Sequence, residues 1–273
     1  MHTSAAGDVD FARLLNAHTT PQDWLTHHGS YRSWHYSALE QINQDNVHEL
    51  KVAWLHTPGA ARFGVRSAPL VADGVLYYVS GDLDVWALNA ADGARIWHHA
   101  ALPQVAGLRS DNSGLALAGG KVLFAAGSDI VALDAKSGAL VWRQTLLDAK
   151  SKYRLDGAPL VVKDKAIIGA HSAGVAACCG PVFAVNTSTG NKLWQFDTVS
   201  SDAQPLKIDE GNVANSIGGG VWVTGSYDFD SNTVWLGTAA PAPRLDWAGE
   251  QWRSEGARPG ANLYTSSVIA LNA

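Results

Sequence analysis

Along most of the chain, apolar and polar residues alternate over short runs separated by Gly, Pro, Asn and Asp, the signature of half-buried strands joined by tight turns. The clearest case is Gly218 to Thr238, where two alternating runs, Val221 to Tyr227 and Thr233 to Thr238, flank an Asp-Phe-Asp-Ser-Asn turn. This predicts a β-hairpin with a polar loop and places Trp222 on its first strand. Further strands are predicted over Ala68 to Tyr78, Gly114 to Phe124 and Ala158 to Ile168. The first and third open on Ala-Pro, and proline is tolerated at a strand's first residue because no ladder donor is needed there. One segment has a different period: residues 8 to 19 carry helix formers with apolar spacing and stop before Pro21, so a short amphipathic helix is expected. Lys51 to Thr57 is expected to be a further strand.

The strands recur in a fixed unit. Ala87-Leu-Asn-Ala-Ala-Asp-Gly-Ala-Arg-Ile-Trp97 returns as Ala132 to Trp142 and again as Ala184 to Trp194, at separations of 45 and 52 residues. A period of that size fits one four-stranded β-propeller blade. In each unit an apolar strand leads to a turn at glycine, and the next strand presents a tryptophan at a constant offset. An aromatic that size holds neighbouring sheets together, so Trp97, Trp142 and Trp194 read as structural. A fourth copy begins with the Val221 hairpin, is stretched by residues 241 to 260, and reaches Ala270-Leu-Asn-Ala273, before the glycine and tryptophan of the unit. The fold class is therefore all-β: about four propeller blades behind a short N-terminal helix, with residues 1–57 as an N-terminal part and 58–273 as the blades.

Composition narrows the function. Among 273 residues only 16% are charged, against 27 Gly and 11 Trp, which suits many tight turns and excludes a disordered chain. A net charge of −5 gives no basic footprint, so neither nucleic acid nor an anionic membrane is an expected partner. No apolar run is long enough to span a bilayer. The first ten residues lack the basic and apolar regions of a signal peptide. They read as a mature N-terminus behind a short leader, or else as an authentic cytoplasmic start. His27-His28 and His98-His99 lack the spacing and the acidic or cysteine company of a metal site. Cys178-Cys179 reads as buried thiols, since a vicinal disulfide would be strained.

Several stretches carry a resemblance. Asp23-Trp-Leu-Thr-His-His-Gly29, Tyr36-Ser-Ala-Leu-Glu-Gln-Ile-Asn43, Asn46-Val47 and Leu50-Lys-Val-Ala-Trp54 resemble the opening of the quinoprotein alcohol dehydrogenases. The Trp222 hairpin, Pro241-Ala-Pro243 and Asn262 to Asn272 resemble a later segment of the same family. The resemblance implies an eight-bladed propeller, closed by the Lys51 to Thr57 strand against the last blade, that holds pyrroloquinoline quinone (PQQ) and a metal ion, usually calcium. It also implies oxidation of primary or secondary alcohols, electron transfer to a cytochrome and export to the periplasm. Four units are half of such a ring, and the two open edges imply further chain, a second propeller half or a homo-oligomer.

Position by position, the resemblance assigns Trp222 as the aromatic floor under the quinone. Thr238 falls in the family's Gly-Thr-Gly-Asn-Pro run, here Gly237-Thr-Ala-Ala-Pro241, so Ala240 replaces the asparagine that helps hold the metal. The metal-binding glutamate falls near Gly174 or Val175, and no Asp or Glu occurs anywhere from Ala166 to Phe196. Cys179 stands for an arginine. Arg66 stands where the family offers a glutamate, and Ser113 replaces the arginine of its Asn-Arg-Gly. His171 lies in the segment expected to face the axis. The family's aspartate base matches no position of this chain. These substitutions imply a dehydrogenase-like chain that is inactive alone. The alternatives are a non-catalytic propeller scaffold or interaction protein, and a remnant without function.

Overall fold

The computed structural model describes residues 8–58, 64–101, 114–148, 151, 153–171, 180–199, 206–209, 212–214, 219–240 and 263–273. Three antiparallel sheets follow one another in the chain. The first is β1 (Leu70–Ala72), β2 (Val75–Val79), β3 (Val85–Asn89) and β4 (Arg95–His99). The second is β5 (Leu115–Ala118), β6 (Lys121–Ala126), β7 (Asp129–Asp134) and β8 (Leu140–Thr145). In the third, a short β9 (Arg154–Leu155) precedes β10 (Leu160–Val162), β11 (Lys165–His171), β12 (Pro181–Asn186) and β13 (Lys192–Asp197). A small hairpin, β14 (Leu206–Asp209) with β15 (Asn212–Ala214), leads to a three-stranded fourth sheet of β16 (Ser226–Asp228), β17 (Thr233–Gly237) and β18 (Val268–Asn272).

Each of these four sheets is a blade whose strands pair in sequence order, except that β9 pairs β11. Pro69 and Pro159 stand immediately ahead of β1 and β10, where the missing N–H costs no ladder bond. The middle strands are buried almost throughout, as near-continuous apolar runs require, whereas the last strands of the second and third blades alternate exposed and half-buried residues. The same irregularity in register recurs between the third and fourth strands of three blades, at Ala87/Leu88, Ala132/Leu133 and Ala184/Val185. The repeated sequence unit thus gives a repeated backbone.

The tryptophans do what the repeat predicts, with one addition. Trp97 donates to the Ala135 carbonyl at 2.9 Å and Trp142 to the Thr187 carbonyl at 3.2 Å, each in the next blade. Trp54 makes the equivalent bond to Ala90 of the first blade at 3.2 Å. Three residues after each accepting carbonyl stands a glycine with positive φ: Gly93, Gly138 and Gly190. A Cβ added there would lie 2.6, 2.6 and 2.7 Å from the docked indole. Glycine is therefore required twice over, by its left-handed backbone and by the ring against it. Trp194 makes no such bond among the described residues.

Three expectations need correction. The helix is only Phe11–Leu15, capped by the Asp10 carboxylate, which accepts from the Arg13 amide at 2.7 Å; a 3-10 turn, Ala17–Thr19, takes the rest. The Asn16 side chain closes the helix early by donating to the Ala12 carbonyl. Lys51 to Thr57 pairs with no strand among the described residues and is fixed instead by Trp54. The hairpin's first strand is short: β16 starts at Ser226, so Trp222 lies in the unpaired segment before it.

The N-terminal segment is strapped across the blades. Trp24 pairs with Val71, Tyr31 donates its hydroxyl to the Val161 carbonyl at 2.7 Å, and the Tyr227 amide donates to Tyr31 at 3.1 Å. Arg13 clamps the helix by reaching both Asp23 and Asp73 at 2.8 to 2.9 Å. No described helix is long and apolar enough to cross a membrane.

Candidate functional site

Where the innermost strands begin, four small residues, one per blade, form a close arc, called the ring below. Ala68 bridges to Gly114, a Cβ on Gly114 would lie 3.3 Å from that of Ala158, and the Thr224 hydroxyl donates to the Ala158 carbonyl at 2.9 Å. Backbones approach this closely only where side chains are small. Two residues ahead of Ala68, Ala158 and Thr224 stand Arg66, Asp156 and Trp222, which blades one, three and four present from equivalent places; Asn112 holds that position in the sequence of blade two. Asn112 lies outside the described residues.

Against the ring, the strap packs a cluster of histidines. His27 and His28 have ring centroids 4.5 Å apart, and those of His28 and His35 are 4.4 Å apart. His28 Nε2 lies 3.2 Å from the Thr224 carbonyl, and His27 Nδ1 lies 3.0 Å from where a Gly114 Cβ would stand. Burial, and then the neighbouring imidazoles, push His27 down to about 4. Burial also lowers His28, partly offset by the Thr224 carbonyl. Leu14, Leu25, Leu117 and Leu160 line the same cavity, with Thr26, Ser30 and Thr224.

In front of the ring, blades three and four build a polar corner beside Trp222. Antiparallel pairing of β9 with β11 sets Arg154 directly opposite His171. Arg154 Nε donates to Asp156 Oδ2 at 2.8 Å, and the same carboxylate oxygen lies 3.8 Å from His171 Nδ1. The Asp156 side chain is 5% exposed and that of His171 29%. The His171 ring stands 6.1 Å from that of Trp222, which is 53% exposed. Trp222 is delivered by a segment locked at several points. The Val221 amide donates to the Ala170 carbonyl, Ala239 donates to Gly220, and the Thr198 hydroxyl donates to Gly219 at 2.6 Å. A Cβ on Gly169 would fall 2.4 Å from that of Val221, so the segment lies directly on β11.

The sequence-derived residues divide accordingly. Trp222 and His171 are brought together. Arg66 is exposed at the equivalent place of blade one. Thr238 commits its hydroxyl to the Tyr264 and Ser267 carbonyls at 2.5 and 3.2 Å. Ala240 accepts from the Gly219 amide. Ser113, Gly174, Val175, Cys178 and Cys179 lie outside the described residues. Arg154 and Asp156 were missed, although Asp156-Gly-Ala158 repeats the placement of Arg66-Ser-Ala68 and that spacing pointed to it. Among the described residues no three His, Cys, Asp or Glu side chains form a metal-binding group.

Chemically, the corner offers a flat half-exposed indole for stacking, a guanidinium, a buried carboxylate and an imidazole. Such a set suits a planar aromatic ligand bearing negative charge.

The family model described as glucose/ethanol/alcohol dehydrogenase, beta-propeller domain, matches residues 24–273. The quinoprotein alcohol dehydrogenase PedH of Pseudomonas putida is 31% identical over 98% of this chain and 47% of its own length. The quinohemoprotein alcohol dehydrogenase of Comamonas testosteroni is 33% identical over 97% of this chain and 39% of its own. The solved quinohemoprotein alcohol dehydrogenase ADHIIG of Pseudomonas putida superposes with a TM-score of 0.81 at 30% identity, covering 99% of this chain and 41% of that one. A europium-containing methanol dehydrogenase gives 0.76 at 28% identity, over 95% and 48%. The chain thus spans less than half the length of these relatives.

Proposed function

The chain belongs to the glucose/ethanol/alcohol dehydrogenase β-propeller family, and from that premise we propose that it forms the PQQ-binding half of an alcohol-oxidising quinoprotein. The observation that carries this is the half-exposed Trp222 ring, fixed beside Arg154, Asp156 and His171 where the inner strands begin. Trp222 would stack on the quinone, while Arg154 and Arg66 would face its carboxylates. When bound, the cofactor supplies a two-electron acceptor. The residues here hold, orient and desolvate what lies against it.

Calcium fits less well. It takes six to eight oxygen ligands, carboxylates above all. Ala240 offers a methyl group at one family ligand position, and residues 166 to 196 contain no carboxylate. No step of the proposed chemistry is therefore routed through a metal.

Completion of the ring by a second propeller half, from further chain or a second copy, is part of the same proposal. It is supported by large apolar side chains left exposed on the N-terminal segment and on β18, among them Trp34, Ile42, Val52, Leu55 and Val268. Periplasmic residence and a cytochrome acceptor follow from the family reading. The test is dye-linked oxidation of short primary alcohols by the intact protein with and without added PQQ. PQQ-dependent turnover that disappears in Trp222→Ala supports the proposal. Stoichiometric failure to bind PQQ would return the chain to the scaffold reading.

A further inference from the structure

Trp222 carries the quinone reading, yet it lies on no strand, so contacts other than ladder pairing fix its indole. We propose that His28 is a positioning residue of the cofactor site: by donating to the Thr224 carbonyl it anchors the C-terminal side of the segment that carries Trp222. This rests on the quinoprotein reading above and adds a residue role to it.

The segment is held unequally on its two sides. Before Trp222, three residues in succession are bonded: Gly219 accepts from Thr198, Gly220 accepts from Ala239, and Val221 donates to Ala170. After Trp222, β16 does not begin until Ser226, and among the described residues Thr224 alone makes hydrogen bonds in between. Its hydroxyl donates to the Ala158 carbonyl at 2.9 Å, and its carbonyl lies 3.2 Å from His28 Nε2. One bond runs to blade three and the other to the N-terminal strap, so Thr224 is fixed from two directions. Val223, which joins it to Trp222, is 43% exposed and gives little packing to resist a turn of the intervening peptide.

The chemistry of the contact assigns the roles. A carbonyl oxygen only accepts, so Nε2 of His28 carries the proton and donates. It does so whether the imidazole is neutral or charged. Burial holds His28 below the usual histidine range, the Thr224 carbonyl offsets part of that, and His35 lowers it further. The donor is itself braced. The His28 imidazole lies 4.5 Å from that of His27 and 4.4 Å from that of His35, centroid to centroid, and the His35 amide donates to the His28 carbonyl at 3.2 Å. The strap therefore aims one N–H at the segment behind the stacking indole.

The test begins without cofactor. In a nitrogen-15 spectrum of tryptophan-labelled intact protein, the indole N–H of Trp222 is identified by its loss in Trp222→Leu. Removing the donor in His28→Phe is expected to shift that signal. His28→Gln, whose amide reaches the position of Nε2, is expected to restore it, whereas His28→Asn, whose amide reaches only the position of Nδ1, is not. Tyr31→Phe loosens the same strap at Val161 and should leave the signal in place, which separates positioning from general loosening. With PQQ added, His28→Phe is expected to raise the dissociation constant read from tryptophan quenching about tenfold, and His28→Gln to stay within about threefold of wild type. If His28→Phe fails to fold, the contrast between His28→Asn and His28→Gln carries the test. A Trp222 signal unmoved by His28→Phe and His28→Asn, or moved as far by His28→Gln or Tyr31→Phe, overturns the proposal and leaves the quinoprotein reading intact. Absence of any quench in the wild type overturns both, since no cofactor is then positioned.

Discussion

Replacing Gly138 by alanine tests the inter-blade joint more sharply than replacing the tryptophan that docks on it. Gly138 has φ +70°, a conformation that costs an L-residue about 1–2 kcal/mol. Its new Cβ would also stand 2.6 Å from Cε3 of Trp97, a side chain 7% exposed and hydrogen-bonded to Ala135 at 2.9 Å. Overpacking of that kind adds about 1–3 kcal/mol. The expected loss is about 2–5 kcal/mol, read from urea midpoints at constant slope. Gly74 is the matched control: φ +75°, with nothing within 4 Å of an added Cβ. Gly74→Ala should cost only about 1–2 kcal/mol, the backbone strain alone. In a Trp97→Ala background the Gly138→Ala penalty should fall to the Gly74 value, because the ring is gone. Equal penalties for the two glycine variants, or a Gly138→Ala penalty unchanged by removing Trp97, would refute the docking account.

The histidine strap predicts acid sensitivity. His27 is held near 4 when folded against 6.5 when exposed, so the folded state binds fewer protons between these values. Its stabilising effect is complete above about pH 6.5 and is lost as pH falls toward 4, worth about 2 kcal/mol after discounting for solvent screening. Thermal melts of His27→Phe should show a flatter pH profile over that window, and a profile parallel to wild type would contradict the assignment. Tyr31→Phe removes the hydroxyl that reaches Val161 and should cost about 1–2 kcal/mol, since it leaves a buried carbonyl unpaired. Chelation with EGTA should leave quinone binding unchanged within about twofold, measured by equilibrium dialysis, because no carboxylate ligand is available from residues 166 to 196.

The propeller was legible because it is written three times over. The Ala-x-Asn/Asp, Gly and Trp positions recur with the backbone they specify, so one unit explains the others. Even the Trp54 contact follows the pattern, since Leu50-Lys-Val-Ala-Trp54 ends on the docking residue as Ala94-Arg-Ile-Trp97 does. Lys51 to Thr57 has strand propensity but pairs with no strand among the described residues, where Trp54 anchors it. Trp222 was misplaced on a strand because its alternating neighbours pack onto β11 and Ala239 instead of pairing in the hairpin. The site was half legible. His171 and Trp222 stand in motifs, whereas Asp156 and Arg154 reach His171 through a two-residue ladder whose partners are 15 to 17 residues apart, and no periodicity reports such a ladder.

The central claim is that Trp222 and its polar neighbours hold a planar, carboxylated quinone. Titration of PQQ into the intact protein, following tryptophan emission, tests it most directly. A saturable quench that is lost in Trp222→Leu and weakened in Arg154→Ala is the predicted result. No quench, or a quench equal in the wild type and Trp222→Leu, would contradict it.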